Sequence, residues 1–226
     1  MKIKVFLAAA AVMFSVSSFA QDISFGVKAG VNFSNFNVKE DGKSVDDLKM
    51  KPGINLGAYA DFNFTDMFAL EAGLQFEQKG SKMEFSESAY GIKYKYTEKY
   101  NINYFTIPVN FRVNLPVGDN NLYFLAGPTL GIGLSGKVKW EEEEDGEKES
   151  DDASLKFGDN TGNEYEDGDD LHRMNIGLLF GAGFEMSNNL GVRLTYDLGL
   201  SNLTPKGDSD NSCKTKVLGL ALTYKF

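Results

Sequence analysis

The sequence predicts an all-β protein: an eight-stranded antiparallel up-and-down transmembrane β-barrel. Three observations carry that expectation. Apolar residues recur at every second position in eight segments, each of about ten residues, the length a tilted strand needs to cross a bilayer. The links between the segments alternate short and long. The face opposite the apolar one is crowded with glycine and holds few lysines.

Taken in order, the chain opens with Lys2 and Lys4, an apolar run over 5–16, and Ser18-Phe19-Ala20. This is the pattern of a secretory signal peptide cut before Gln21. At roughly 12 residues the run is too short for a membrane anchor, which needs ~20. The expected division is a signal peptide over 1–20 and a barrel domain over 21–226. Loss of the two lysines takes the formal charge from -9 to -11.

In the first strand Phe25, Val27, Ala29, Val31 and Phe33 share one face, and Ser24, Gly26, Lys28, Gly30 and Asn32 the other. The same alternation returns over 54–64, 68–76, 105–115, 122–134, 176–184 and 190–200. The eighth segment, "KVLGLALTYKF", carries it to the terminal Phe226. Short polar turns are expected at 65–67, 116–121 and 187–189, and long charged loops near 37–51, 80–101, 136–171 and 201–215. An even strand count puts both termini at the turn end, periplasmic in an outer-membrane protein, with the long loops extracellular.

A soluble sandwich also alternates, but it wets its second face. Here Gly57, Gly127, Gly177, Gly181 and Gly183 crowd that face, which suits the tight interior of a small barrel. Phe62, Phe64, Phe68, Phe184, Tyr224 and Phe226 form a candidate aromatic girdle at the turns; Phe33, Phe76, Phe105 and Trp140 form one toward the loops.

The acidic balance argues against nucleic acid as a partner. Cys213 is the single cysteine, so no disulfide forms within the chain. The sequence calls for no cofactor. Catalysis is not expected: His172 is the only histidine, and parity turns it to the lipid side at the loop end of the sixth strand.

Candidate site residues lie in three places. By parity Asp61, Glu71, Arg112, Glu185 and Arg193 point into the lumen within about five residues of the turn end. Pairing is expected there, because an unpaired charge in a confined space is costly. Lys28 and Asp197 face inward higher up. In the 80–102 hairpin, Met83, Phe85, Tyr94, Tyr96, Tyr100, Ile102 and Tyr104 keep inward parity, so the strands should continue past the bilayer with an aromatic face toward the barrel axis. Pro108 and Pro128 predict bulges or local weakening. Between 141 and 170 fifteen acids face only Lys148 and Lys156, a net of -13. Such a run reads as solvated and mobile, and it should repel lipopolysaccharide phosphates unless divalent cations bridge them. Asp167, Asp169 and Asp170 are its candidate cation ligands, although the spacing of a calcium loop is not met.

"NYFTIPVNFRVNL" (103–115), "LYFLAGPTLGIGL" (122–134), "NIGLLFGAGFE" (175–185) and "VRLTYDLGLSNL" (192–203) resemble the porin-family, PorT-like outer-membrane β-barrel domain. The resemblance spans essentially all of 21–226 and omits the acidic third loop. It implies a Gram-negative outer-membrane protein, in a family that includes a protein-secretion accessory factor. The terminal aromatic resembles the signature read by the barrel assembly machinery. The expected product is a monomer with a plugged lumen, set among outer-membrane lipid and lipopolysaccharide. It acts through its loops in envelope structure, contact with a surface partner, or support of a secretion machine. The alternatives are a transporter of small solutes or apolar ligands and, behind it, an outer-membrane enzyme.

Overall fold

The computed structural model describes residues 22–45, 48–89, 92–145, 147–158, 170–205 and 207–226. The signal peptide expected over 1–20 lies outside the described residues, as does the acidic segment 159–169, with Asp167 and Asp169. The described strands are β1 (Asp22–Glu40), β2 (Lys43–Val45), β3 (Leu48–Asn63), β4 (Phe68–Ala89), β5 (Ile92–Val117), β6 (Asn120–Glu144), β7 (Glu147–Leu155), β8 (Phe157–Gly158), β9 (Leu171–His172), β10 (Met174–Glu185), β11 (Leu190–Gly199) and β12 (Ser212–Lys225).

Eight strands close a ring in the order β10–β11–β12–β1–β3–β4–β5–β6, and β6 pairs back to β10. Every pairing in the ring is antiparallel, so the predicted barrel is the observed one. β2 folds onto β1, β7 onto β6, and β8 and β9 form a small parallel pair. The period-two pattern explains the ring, because each strand offers one face to lipid and one to the lumen. Phe25, Leu74, Phe111, Leu194 and Leu222 stay exposed on the outside, Leu222 at 66%. Their inward neighbours Gly26, Gln75, Arg112 and Thr223 are buried.

The short turns have local causes. Thr65 Oγ1 accepts from the backbone N–H groups of Met67 and Phe68. Gly118 takes φ +61° in the β5–β6 turn, a conformation that glycine adopts without Cβ strain.

Four expectations need correction. First, the acidic run is not a free loop over its first half. β5 has 26 residues and β6 has 25, against the ~9–11 that cross a bilayer. Their upper halves continue with β4 and β7 as a four-stranded sheet that extends beyond the ring. The ladder satisfies the backbone, and lysines on the facing strand answer part of the charge, with Lys95 opposite Glu143. Second, neither proline causes a bulge, since the registers keep the same count on both sides of Pro108 and Pro128. The pairing lapses beside them, at Gly73–Leu74 opposite Ile107–Pro108 and at Val109–Asn110 opposite Gly127–Pro128, which is the local weakening expected. The register shifts lie instead between Met50 and Asn55, and where β5 changes partner from Ser135 at Asn103 to Gly133 at Tyr104. Third, that second shift leaves Leu134 as the extra residue and reverses the parity of β6 above it. Trp140 therefore turns to the inner face of the extended sheet and is no lipid-facing girdle residue. Fourth, His172 is not on the sixth barrel strand. It lies in β9, where its N–H donates to Leu203 O at 2.8 Å.

Candidate functional site

The lower lumen is built by parity from five strands. Asp61, Glu71, Arg112 and Arg193 are all but fully buried. Arg112 Nη1 donates to Asp61 Oδ2 at 2.8 Å, and Arg112 Nη2 to Glu185 Oε2 at 3.1 Å. Arg193 grips Glu71 with both terminal nitrogens, at 2.8 and 2.6 Å. Such paired, planar contacts are the strong form of a buried ion pair. The structure thus brings together all five lumen residues singled out by parity.

Three further members were not singled out in the sequence. Lys225 Nζ lies 3.2 Å from Asp61 and 3.8 Å from Glu185. Tyr123 accepts a bond from Arg193 Nε at 2.9 Å, and its ring lies 3.8 Å from the Arg112 guanidinium carbon. Tyr59 lies under Arg193 at 4.8 Å. The tyrosine rings fit because glycine faces them: a Cβ at Gly183 would overlap Tyr123, and one at Gly26 would overlap Tyr59.

A second charged layer follows. Lys79 Nζ lies 3.2 Å from both Glu77 and Asp197, and Lys28 is buried near them. Glu77 and Lys79 carry inward parity, but they stand where the sequence suggested a loop was starting. Taken together the two layers hold five acids (Asp61, Glu71, Glu77, Glu185, Asp197) and five bases (Lys28, Lys79, Arg112, Arg193, Lys225). Above them Phe36, Ile102, Tyr104, Leu171 and Leu203 form a buried apolar cluster. It lies beyond the charged layers, at the end of the ring where the long strands run on. A pocket of about 620 Å³ opens there, lined by Leu48, Tyr100, Val138, Trp140, Leu155 and Cys213 among others. Burial pushes the Cys213 thiol up to about 12, which leaves little reactive thiolate.

The sheet that extends beyond the ring has two unlike faces. Residues directly opposite in the ladder share a face, so the register assigns each side chain. The inner rows are Met83–Glu98–Trp140–Asp151, Phe85–Tyr96–Glu142–Glu149 and Glu87–Tyr94–Glu144–Glu147. They hold seven acids, three aromatic types and no lysine or arginine. The outer rows hold Lys49, Lys82, Lys93, Lys95, Lys99, Lys137, Lys139 and Lys148 against Glu84, Glu141, Glu143 and Asp152. Hydrogen bonds from Lys49 and Lys82 hold Glu84 at about 2, and those from Lys99 and Lys139 do the same for Glu141. The acidic run therefore does not present a uniform repulsive surface to the membrane. Much of its charge is turned inward over the mouth.

Of the candidate cation ligands only Asp170 is described. Its carboxylate accepts from the Lys156 N–H at 2.8 Å. Among the described residues no three His, Cys, Asp or Glu side chains are grouped to hold a metal ion. Burial lowers the pKa of His172 below the ordinary histidine value.

A family model described as outer membrane protein beta-barrel domain matches residues 19–204. Among solved structures, the chain is similar to Ail, the attachment invasion locus protein of Yersinia pestis, in complex with the heparin analogue sucrose octasulfate. Identity is 18% over 90% of this chain and 99% of that one, with a TM-score of 0.36. It is also similar to the outer membrane protein OprG from Pseudomonas aeruginosa (14% identity, 90% and 94% coverage, TM-score 0.42). Neisserial surface protein A gives 12% identity, 91% and 100% coverage, and a TM-score of 0.41. No curated protein matches the chain.

Proposed function

The chain belongs to the outer membrane protein beta-barrel domain family, and from that premise we propose that it is a non-enzymatic surface-contact protein of the outer membrane. Its termini and short turns face the periplasm, its lumen is closed to solutes, and its extracellular sheet meets the partner. The PorT-like motifs of the barrel strands favour a partner in protein secretion or envelope structure over a metabolic role. One observation carries the reading. The inner face of the sheet sets seven carboxylates among Tyr94, Tyr96 and Trp140, with no base in the same rows. Carboxylates beside aromatic rings suit a basic polypeptide segment, through ion pairs and cation–π contacts. A photo-crosslinking side chain at Tyr96, in cells, should yield a discrete protein adduct that weakens when Glu142 and Glu149 become glutamine. Absence of any protein adduct from Tyr96 and Tyr94 would sink the reading.

A transporter has one observation in its favour. Between the two charged layers, polar atoms of Gln75, Thr106 and Asn110 are buried with no hydrogen-bond partner among the described residues, a lining that a small-solute path could use. Against it stand the dense ion network and the apolar cluster above. Purified protein in a planar bilayer should show no large, stable openings. Reproducible conductance steps that change on Arg112→Ala would favour the transporter instead.

A further inference from the structure

We propose that the lysine row Lys49–Lys82–Lys99–Lys139, on the outer face of the extracellular sheet, binds the phosphate groups of the outer-leaflet glycolipid that surrounds the barrel. This rests on placement in the outer membrane and is independent of what the inner face contacts.

The first reason is register. Lys49 pairs with Lys82, Lys82 with Lys99, and Lys99 with Lys139, on four neighbouring strands. Like charges directly opposite one another destabilise a sheet, and here four stand side by side. Two carboxylates answer them. Glu84 lies 2.8 Å from Lys49 and 2.5 Å from Lys82, and Glu141 lies 2.6 Å from Lys99 and 2.9 Å from Lys139. Lys95 adds a third ammonium to Glu84 at 3.7 Å. At the end of the row, Asp152 is engaged by Lys137 at 3.0 Å. Four ammonium groups against two carboxylates leave positive charge uncompensated. Across the whole face, eight lysines meet four acids, in a chain whose formal charge is -9.

The second reason is shape. A hollow of about 330 Å³ opens on this face; five lysines line it, among them the row members Lys82, Lys99 and Lys139, and five glutamates, of which Glu84 and Glu141 are already held by lysines. That lies at the lower end of the range for small-ligand sites, ~300–1,000 Å³. The third reason is height. The row continues the lipid-facing side of the same strands, and Lys99 is six residues beyond Phe105 on β5. At ~3.3 Å per residue and a tilt of ~40°, that is roughly 15 Å above the last aromatic row. A phospholipid headgroup layer is only ~5–8 Å deep on each side. The row therefore stands above ordinary headgroups and level with the charged sugars of a glycolipid.

The full chain, refolded in a neutral detergent, would be titrated with lipopolysaccharide and with the same material after enzymatic removal of its phosphates. Wild type should bind the phosphorylated form, and K82Q/K99Q should bind it about 30-fold more weakly. Without glycolipid the double variant should be at least as stable as wild type, because it relieves like-charge contacts. K43Q/K93Q, off the row and outside the hollow, should bind within about threefold of wild type. If K82Q/K99Q fails to fold, K139Q at the end of the row should still lose about fivefold. Equal binding of the two glycolipid forms, or equal losses from the on-row and off-row pairs, would overturn the proposal. Displacement by millimolar inorganic phosphate would also overturn it, by making the row a site for free anions. None of these variants should change the crosslink from Tyr96, so the two readings fail separately.

Discussion

Replacing Arg193 by methionine should cost the folded barrel about 3–5 kcal/mol, the expected loss when one partner of a buried ion pair is removed. Arg193 is 2% exposed and supplies both close contacts to Glu71. Without it, Glu71 keeps, among the described residues, Arg112 at 3.6 Å and a long bond from Asn110 at 3.4 Å. Tyr123 loses its donor in the same step. A carboxylate left in that position is charged, buried and underpaired, and such a group is costly at low dielectric. Urea unfolding in detergent, followed by the shift in migration between folded and heat-denatured protein, measures the effect. The cycle partner is Glu71→Gln with Arg193→Met. Removing both charges should restore most of the loss, since replacing a whole buried pair is often near neutral. A single-variant loss under about 1 kcal/mol would mean that water reaches the layer and screens it. Equal losses in the single and double variants would mean that the two residues do not act as a pair.

The five residues of that layer were legible because strand parity and distance from a turn are both local quantities. Counting from Thr65 or Asn188 needs no knowledge of what lies across the barrel. Lys225 was missed although the alternation runs to Phe226 and gives it inward parity: parity places it in the lumen, but only the folded ring shows that it reaches Asp61 and Glu185. Glu77 and Lys79 were missed for a related reason: the apolar face of β4 stops at Phe76, so a strand and the start of a loop look alike in sequence. Tyr59 and Tyr123 alternate correctly, yet their role depends on glycines of other strands, Gly26 and Gly183, which only the register brings beneath them. Trp140 illustrates the opposite failure. One extra residue at Leu134 reverses the parity of everything above it on β6, and nothing in "TLGIGLSGKVKW" marks where the bulge falls. The two faces of the extended sheet were half visible. Lys93, Tyr94, Lys95 and Tyr96 alternate plainly, but "WEEEEDGEKESDD" has no alternating hydrophobicity, and its pairing partners decide which acids turn inward.

Leu194→Arg should destabilise the barrel by about 2–4 kcal/mol, the cost of an arginine at the bilayer midplane. Leu194 is 51% exposed, on the outside of β11. Its ladder neighbours on that face are Ala182 and Leu220, so the new charge has apolar surface on both sides. Leu190 shares the face at the turn end of the same strand and is 45% exposed. Leu190→Arg should cost only about 0–1 kcal/mol, because arginine near an interface can reach headgroups and water. Exposure alone gives the two sites almost the same environment; only depth in lipid separates them. Refolding yield and urea midpoint in lipid vesicles, compared for the two variants, test parity and depth at once. Equal tolerance of arginine at both positions would mean that this face meets water, and the membrane reading of the ring would fall. Equal and severe losses would point to disrupted strand pairing, which substitution of Leu194 by glutamine would then reproduce without the charge.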